Sequence, residues 1–276
     1  MNLVVQGPSL TVQQAGELAR LARSDTLDRI SDHAFRIRKA YLEAPITSWC
    51  EERRIDHAFV PEGRRFADLR LLAIDMDSTL ITIECIDELG ELAGKKAQVA
   101  AITAQAMRGE VDYPDSLRRR VAAIAGLEES ALLEVYERRL ELTPGAEVLL
   151  TACRKHGVQV LLVSGGFTFF TERLKARLGI DHTISNVLEV RSGKLTGALV
   201  GEIVDAEAKA RKFLQVMAGL RAHKQQTVAI GDGANDLKMM AEAGFSVAFR
   251  AKPVVRAQAG CAISWCGLDA VVNLFE

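Results

Sequence analysis

Asp75 and Asp77 stand at the end of a short apolar run, Leu71-Leu72-Ala73-Ile74, and their type and spacing point to chemistry. Such a run reads as a buried strand that delivers carboxylates to its carboxyl end, where open α/β sheets bind ligands. In a continuing strand, residues two apart share a face. Carboxylates held that close repel unless a cation or a shared proton intervenes, so a divalent metal is the simplest partner. By itself the pair reads more readily as a solvated boundary between strand and turn. Two further apolar runs end in special residues: Val158 to Val163 leads into Ser164-Gly165-Gly166, and Thr227 to Ile230 leads into Gly231-Asp232-Gly233-Ala234-Asn235-Asp236. The glycine pair lets backbone approach a ligand closely, and a helix starting near Thr168 would aim unpaired N–H groups at an anion such as phosphate. Gly231-Asp232-Gly233 is not a dinucleotide fingerprint, because Asp236 occupies the place of the third glycine. Lys209, early in a helical stretch ahead of Asp232, could project toward the same edge, although most helix lysines are simply solvated.

The elements that must position these residues form strand–loop–helix units. Their order predicts an α/β fold with a Rossmann-like parallel sheet and helices on both faces. Between Leu80 and Thr143 the chain is too long for a loop, and its periodicity predicts helices near 86–92, 96–107, 113–124 and 128–139, together an inserted helical cap. Thr143 and Pro144 suit the N-cap and first position of the helix that resumes the main domain. Arg191-Ser192-Gly193-Lys194 predicts a β-hairpin ornamenting the core, and a short strand at Ala262-Ile263 precedes a final helix. In the first seventy residues, strands at Leu3-Val5 and His57-Val60 and helices at Val12-Leu21 and Ile46-Glu52 suggest a small α+β amino-terminal domain, bounded at Pro61-Glu62-Gly63. The expected division is residues 1–68, a core of 69–82 with 143–276, and a cap of 83–142.

Composition restricts the partners. The chain has 276 residues, 49% of them hydrophobic and 26% charged, enough for a sizeable core with accessory pieces. With 35 basic and 36 acidic residues the net charge is −1, which offers no electrostatic case for nucleic acid or a membrane surface. Five scattered cysteines form no zinc pattern and fit a reduced, cytoplasmic protein; the start of the chain does not read as a targeting signal, and no segment has the length of a membrane span. Cys85, beside Glu84, reads as a small packed residue rather than a nucleophile.

In order, Asp75-Met76-Asp77-Ser78-Thr79, Ser164-Gly165-Gly166, Lys209 and Gly231-Asp232-Gly233-Ala234-Asn235-Asp236 resemble the four signature motifs of the haloacid-dehalogenase-like phosphohydrolases. Glu84-Cys85-Ile86-Asp87-Glu88, Ala106-Met107-Arg108-Gly109-Glu110, Ser116 to Val121 and Val204-Asp205-Ala206 narrow the resemblance to the phosphoserine phosphatase family, over about residues 70 to 276. That resemblance implies hydrolysis of O-phospho-L-serine, the last step of serine biosynthesis, through an aspartyl phosphate on Asp75. Asp77 would be general acid and then base, and Lys209 a charge-neutralising partner. It implies Mg²⁺ held by Asp75, the Asp77 carbonyl and Asp232, a phosphate side of Ser164, Gly165, Lys209 and Asn235, and a support role for Asp236. In the cap it implies Glu84 for the substrate ammonium, Arg120 for its carboxylate, and Met107 and Tyr113 as an apolar wall. Tyr113 stands where the family commonly has Phe. The amino-terminal region is loosely similar to a shortened ACT module, with packing, homodimerisation or amino-acid sensing as its roles. Two other functions stay open: phosphotransfer to another alcohol such as homoserine, and a non-catalytic amino-acid sensor.

Overall fold

The computed structural model describes residues 1–41 and 44–276. The chain opens with β1 (Asn2–Gln6), α1 (Val12–Leu21), β2 (Leu27–Ser31), β3 (Ala34–Ile37), α2 (Ala44–Glu52) and β4 (Asp56–Val60). The strands form an antiparallel sheet in the order β2-β3-β1-β4, so the amino-terminal region is a β-α-β-β-α-β unit. The β2–β3 hairpin is absent from the sequence-based expectation. Alternation along β1 explains how the unit is packed. Leu3 and Val5 lie in a cluster with Leu18 of α1 and Ile46 of α2, whereas Val4 faces the other way and joins Ala58 and Val60 in the main core.

Polar clasps fix the same face to the rest of the chain. The Asp56 carboxylate accepts the backbone N–H groups of Ser264, Trp265 and Cys266 at 2.7, 3.1 and 2.9 Å. Arg36 donates to the carbonyls of Asn273 and Phe275 at 2.9 and 2.6 Å. Both residues are buried, where an ion pair or a hydrogen-bonded charge is strongly costly to break.

The second sheet begins at β5 (Leu71–Asp75), followed by the insertion of α3 (Cys85–Leu92), α4 (Lys96–Met107), α5 (Tyr113–Ala123) and α6 (Ser130–Arg138). The four helices match the predicted positions to within a few residues. The chain then runs α7 (Ala146–His156), β6 (Gln159–Phe167), α8 (Thr168–Leu178), β7 (His182–Arg191), β8 (Lys194–Val200), α9 (Ala206–Gly219), β9 (Thr227–Gly231), α10 (Leu237–Glu242), β10 (Phe245–Phe249), α11 (Pro253–Arg256) and β11 (Cys261–Ile263). The seven strands lie in the order β11-β10-β9-β5-β6-β7-β8, all pairs being parallel except β7–β8. Leu72 and Ile74 of β5 enter one apolar cluster with α7 and α8, and Leu71 and Ala73 enter another with α9 and α10. The predicted α/β architecture, with helices on both faces, is therefore the one observed. Because β5 is flanked by β6 on one side and β9 on the other, its carboxyl end lies at the crevice where successive connections diverge.

Two local expectations are corrected and a third is refined. Thr143-Pro144 does not start a helix: it forms a turn closed by Ala146 N–H to the Thr143 carbonyl at 3.0 Å, and α7 begins after Gly145 at φ 82°. Pro followed by a left-handed Gly is the chemistry of a type II turn, and that preference outweighs the N-cap pattern. The expected final helix is present as a 3₁₀ helix, Leu268–Leu274. The β7–β8 hairpin turns at Ser192 and Gly193, both with positive φ, but it is more than an ornament. Gly126 N–H donates to the Leu195 carbonyl at 2.8 Å, Leu195 N–H to the Leu127 carbonyl at 2.9 Å, and Glu129 N–H to the Gly193 carbonyl at 2.7 Å. These bonds extend the hairpin with a piece of the helical insertion. At Gly197 a Cβ would come within 2.8 Å of the Ala125 methyl, so the glycine permits the close approach.

Candidate active site

β5 ends at Asp75, a residue only 4% exposed. The strand does not continue to Asp77. Met76–Leu80 turns tightly, with Asp77 at φ −66°, ψ 135° and Ser78 left-handed at φ 56°, so Asp77 reaches the site from a turn and not as a strand neighbour. Its Oδ1 accepts the Cys85 N–H at 2.9 Å and its Oδ2 the Ser164 hydroxyl at 3.3 Å. Cys85 is fully buried, as expected of a packed residue, and contributes through its backbone.

Lys209 is placed by the start of α9, where the Asp205 side chain caps the helix by accepting Ala208 N–H at 2.9 Å. It is not a solvated helix lysine. Its ammonium is wholly buried and donates to Asp75 Oδ1 and to Asp236 Oδ1, the latter at 2.7 Å. Asp236 Oδ2 also accepts Gly233 N–H at 3.2 Å. These are the partners of Asp236 that the sequence left open.

Among the described residues, Asp75, Asp232 and Asp236 bring carboxylate oxygens within 4.8 Å of one another. Three carboxylates against the one ammonium of Lys209 leave a formal excess of two negative charges. Burial, then Asp236 and Asp232, push the Asp75 pKa well up against the pull of Lys209. Burial and then Asp236 raise Asp232 to about 6, with Lys252 opposing. Burial works against the charge on Lys209, but Asp236 and Asp75 outweigh it and hold its pKa above the ordinary lysine value. The ammonium is thus the firmly charged member, while Asp75 and Asp232 resist ionisation until more positive charge arrives. A cluster of hard oxygen donors with this excess charge suits a divalent metal ion. The resemblance implies the Asp75 and Asp232 carboxylates together with the Asp77 backbone carbonyl; the structure adds the Asp236 carboxylate beside the first two.

A cavity of about 950 Å³ opens above this cluster. Asp75, Asp77, Asp232 and Asn235 line it from the sheet side, and Glu84, Met107, Tyr113 and Arg120 line it from the insertion. Ser164 and Lys209 lie beneath its floor, both fully buried. Although Glu84 is exposed at the cavity mouth, its carboxyl end is crowded. Burial and then Asp77 push its pKa up to about 7, against a hydrogen bond from the Ser78 hydroxyl at 2.7 Å. Arg120 makes one long bond, Nε to the Ser116 carbonyl at 3.4 Å. Met107 borders the cavity but is 67% exposed.

The glycine pair lies within β6, not in a loop after it, and its room is already filled. A Cβ on Gly165 would overlap the Tyr113 hydroxyl, and one on Gly166 would lie 2.7 Å from Asp77 Oδ2. Sequence reasoning missed two residues here. Lys252 lines the cavity beside Asp232, and Asn186 of β7 hydrogen-bonds the Gly165 carbonyl. Neither carries a local signal.

A strand-end aspartate at the crevice, a buried lysine pairing with it and a further acidic loop after β9, roofed by a helical insertion, together define a haloacid dehalogenase-like hydrolase. The family model for haloacid dehalogenase-like hydrolase matches residues 72–241, and a Domain of unknown function (DUF4072) matches residues 3–45. A phosphoserine phosphatase of Polaromonas sp. (strain JS666) is 54% identical over 217 residues, covering 77% of this chain and 92% of that protein. The unliganded crystal structure of a probable phosphoserine phosphatase from Vibrio cholerae has a TM-score of 0.87 and 37% identity, covering 99% of this chain and 86% of that one. A phospho-aspartyl intermediate analogue of phosphoserine phosphatase gives a TM-score of 0.71 at 35% identity, covering 75% of this chain and 99% of the other. The chain belongs to the haloacid dehalogenase-like hydrolases and, within them, to the phosphoserine phosphatase family. No helix among the described residues is long and apolar enough to cross a membrane.

Proposed function

We propose that this enzyme hydrolyses O-phospho-L-serine to L-serine and phosphate in two half-reactions on Asp75, as the closing step of serine biosynthesis in the cytoplasm. In the first, an Asp75 carboxylate oxygen attacks phosphorus and the bond from phosphorus to the seryl oxygen breaks. Asp77 gives its proton to that oxygen. The raised pKa of Asp77, caused first by burial, favours the protonated form this step needs. In the second, water attacks phosphorus, Asp77 takes its proton, and the Asp75–phosphorus bond breaks. Lys209 keeps Asp75 oriented and offsets the charge of the phosphoryl group, with Ser164 steadying Asp77. Asp75, Asp232 and the Asp77 carbonyl would hold Mg²⁺, with Asp236 close enough to support it, and the ion would supply the remaining charge neutralisation.

Residues 83–142 act in this reading as the cap on a core of 69–82 and 143–276, with residues 1–68 as a separate amino-terminal domain. The observation that carries the substrate assignment is that an acid, Glu84, and a base, Arg120, line the same cavity as Asp75 and Asp77. Phosphoserine carries an ammonium and a carboxylate beside its phosphate, and a guanidinium suits the latter as a two-point fork. Phosphate release across a panel of phosphorylated metabolites, in Mg²⁺ and in EDTA, tests the proposal. Phosphoserine should be preferred, the rate should collapse in EDTA, and added homoserine should leave phosphate yield unchanged. Equal rates for phosphoserine and for monoesters lacking an amino-acid group would overturn the substrate assignment.

A further inference from the structure

Asn186 is a buried polar residue on β7, 2% exposed, with every part of its carboxamide engaged. Its Nδ2 donates to the Gly165 carbonyl at 2.8 Å and to the Gly166 carbonyl at 3.4 Å, and its Oδ1 accepts Val204 N–H at 2.8 Å. The Gly165 carbonyl has a second donor. Tyr113, the first residue of α5, crosses from the cap and gives it its hydroxyl proton at 3.3 Å. A carbonyl oxygen has two lone pairs, so a core residue and a cap residue together fill this one.

The Gly165–Gly166 peptide is planar, so fixing its carbonyl fixes the N–H on its far side. That N–H, on Gly166, points to Ser164 Oγ at 2.8 Å, and Ser164 Oγ in turn meets Asp77 Oδ2 at 3.3 Å. Glycine at 165 and 166 has no side chain to restrict the plane. Without an anchor, the peptide could rotate and present its carbonyl, a partial negative charge, where an anion must sit. The contacts therefore run in one line: Asn186 and Tyr113, the Gly165 carbonyl, the Gly166 N–H, the Ser164 hydroxyl, Asp77.

We propose that Asn186 is a positioning residue that sets the Gly165–Gly166 peptide for phosphate, and that Tyr113 acts on the same oxygen, coupling the seating of the cap to the phosphate side. This rests on the reading of Ser164 to Gly166 as the phosphate side. Asn186 touches no reacting atom, and its effect is independent of what the rest of the substrate carries. That separates it from Arg120, whose role is confined to substrates with a carboxylate.

The test uses the full-length Mg²⁺ enzyme with phosphoserine, with a phosphate monoester lacking the amino-acid group, and with inorganic phosphate as inhibitor. Asn186→Ala should lower kcat/KM by about 10- to 100-fold on both substrates alike and raise the phosphate inhibition constant about 10-fold, as expected for the loss of one or two hydrogen bonds. Tyr113→Phe, which leaves packing intact, should cost about 3- to 10-fold. The double variant should lose less than the product of the two, because both act through one carbonyl. Asn186→Asp should add an ionisation to the kcat profile that neither wild type nor Asn186→Ala shows, since only a protonated Asp can donate to Gly165. Ser164→Ala tests the reading beneath. If Ser164→Ala raises the phosphate inhibition constant but the Asn186 and Tyr113 variants do not, the positioning role is wrong and the phosphate side stands. If Ser164→Ala leaves it unchanged, both fall. A drop in thermal midpoint alone, or strict multiplicativity of the two single variants, also overturns the proposal.

Discussion

On the sheet side of the cavity, Asp75, Lys209 and Asp236 are almost or wholly buried and locked to one another by ion pairs. On the cap side, Met107 is 67% exposed, Arg120 makes a single long bond within its own helix, and Glu84 stands at the mouth. The buried wall has its partners built in and presents the same charge to any phosphate ester. The cap wall keeps most of its hydrogen-bonding capacity open for a ligand. Under the proposed function, catalysis falls to the buried side and selection to the open side, and the packing of each suits that division. A preorganised charge cluster must not relax, whereas a selecting wall must let its ligand enter.

Asp75→Asn should break the sheet side most completely. The amide is close in shape but a poor nucleophile, so turnover should vanish for every phosphate monoester while the circular dichroism spectrum is retained. Near wild-type hydrolysis by contaminant-free protein would remove Asp75 as the attacking group. Asp77→Asn should lower kcat on the order of 10²-fold or more with phosphoserine. An aryl phosphate, whose leaving group needs no proton, should lose much less in single-turnover phosphorylation, and equal losses would remove the acid role.

Arg120→Ala should separate the two walls, lowering kcat/KM for phosphoserine by roughly 10- to 100-fold, the scale of a charge-assisted hydrogen bond, while sparing a monoester without a carboxylate. Arg120→Lys should restore only part, having the charge without the planar fork. An equal fall on both substrates would make Arg120 a general structural residue.

The smallest effect concerns Glu84. Its folded-state pKa of about 7 lies above its ordinary 4.5, so the native protein binds this proton more tightly than the unfolded chain. That contribution is complete below about pH 4.5 and is lost as pH rises through about 7. In metal-free urea titrations, wild type should lose stability relative to Glu84→Gln across this window, by an amount reduced by the solvent exposure of the residue. Parallel curves for the two proteins would show that Glu84 does not titrate there.

The core of this arrangement was legible because its signals are local. An apolar run ending in carboxylates marks β5 and β9, and the 3.6-residue period marks the four cap helices. What escaped depends on distant partners. Arg36 sits in β3 among charged and apolar neighbours, and the carbonyls of Asn273 and Phe275, with the nearby charge of Glu276, make its burial tolerable; so the β2–β3 hairpin carried no clean alternation. Asn186 looks like any polar strand residue until Gly165, 21 positions away, is placed beside it. At Thr143-Pro144 the local signal was real but ambiguous, and Gly145 decided for a turn. The glycines at 165 and 166 were read as room for a ligand; the groups that closely approach them are Tyr113 and Asp77, which sit far away in sequence.

The hairpin that clips onto residues 126–129 bears on how this enzyme can be remodelled. Its backbone bonds to the cap make residues 186–200 part of the cap's foundation, although they lie far along the chain from 83–142. A designer exchanging caps between relatives to change substrate range would need to transplant both segments as one unit. An exchange at 83–142 alone would set the new cap against a hairpin whose Gly197 is fitted to Ala122 and Ala125 of the original insertion, and the new lid would sit askew over a chemically intact floor.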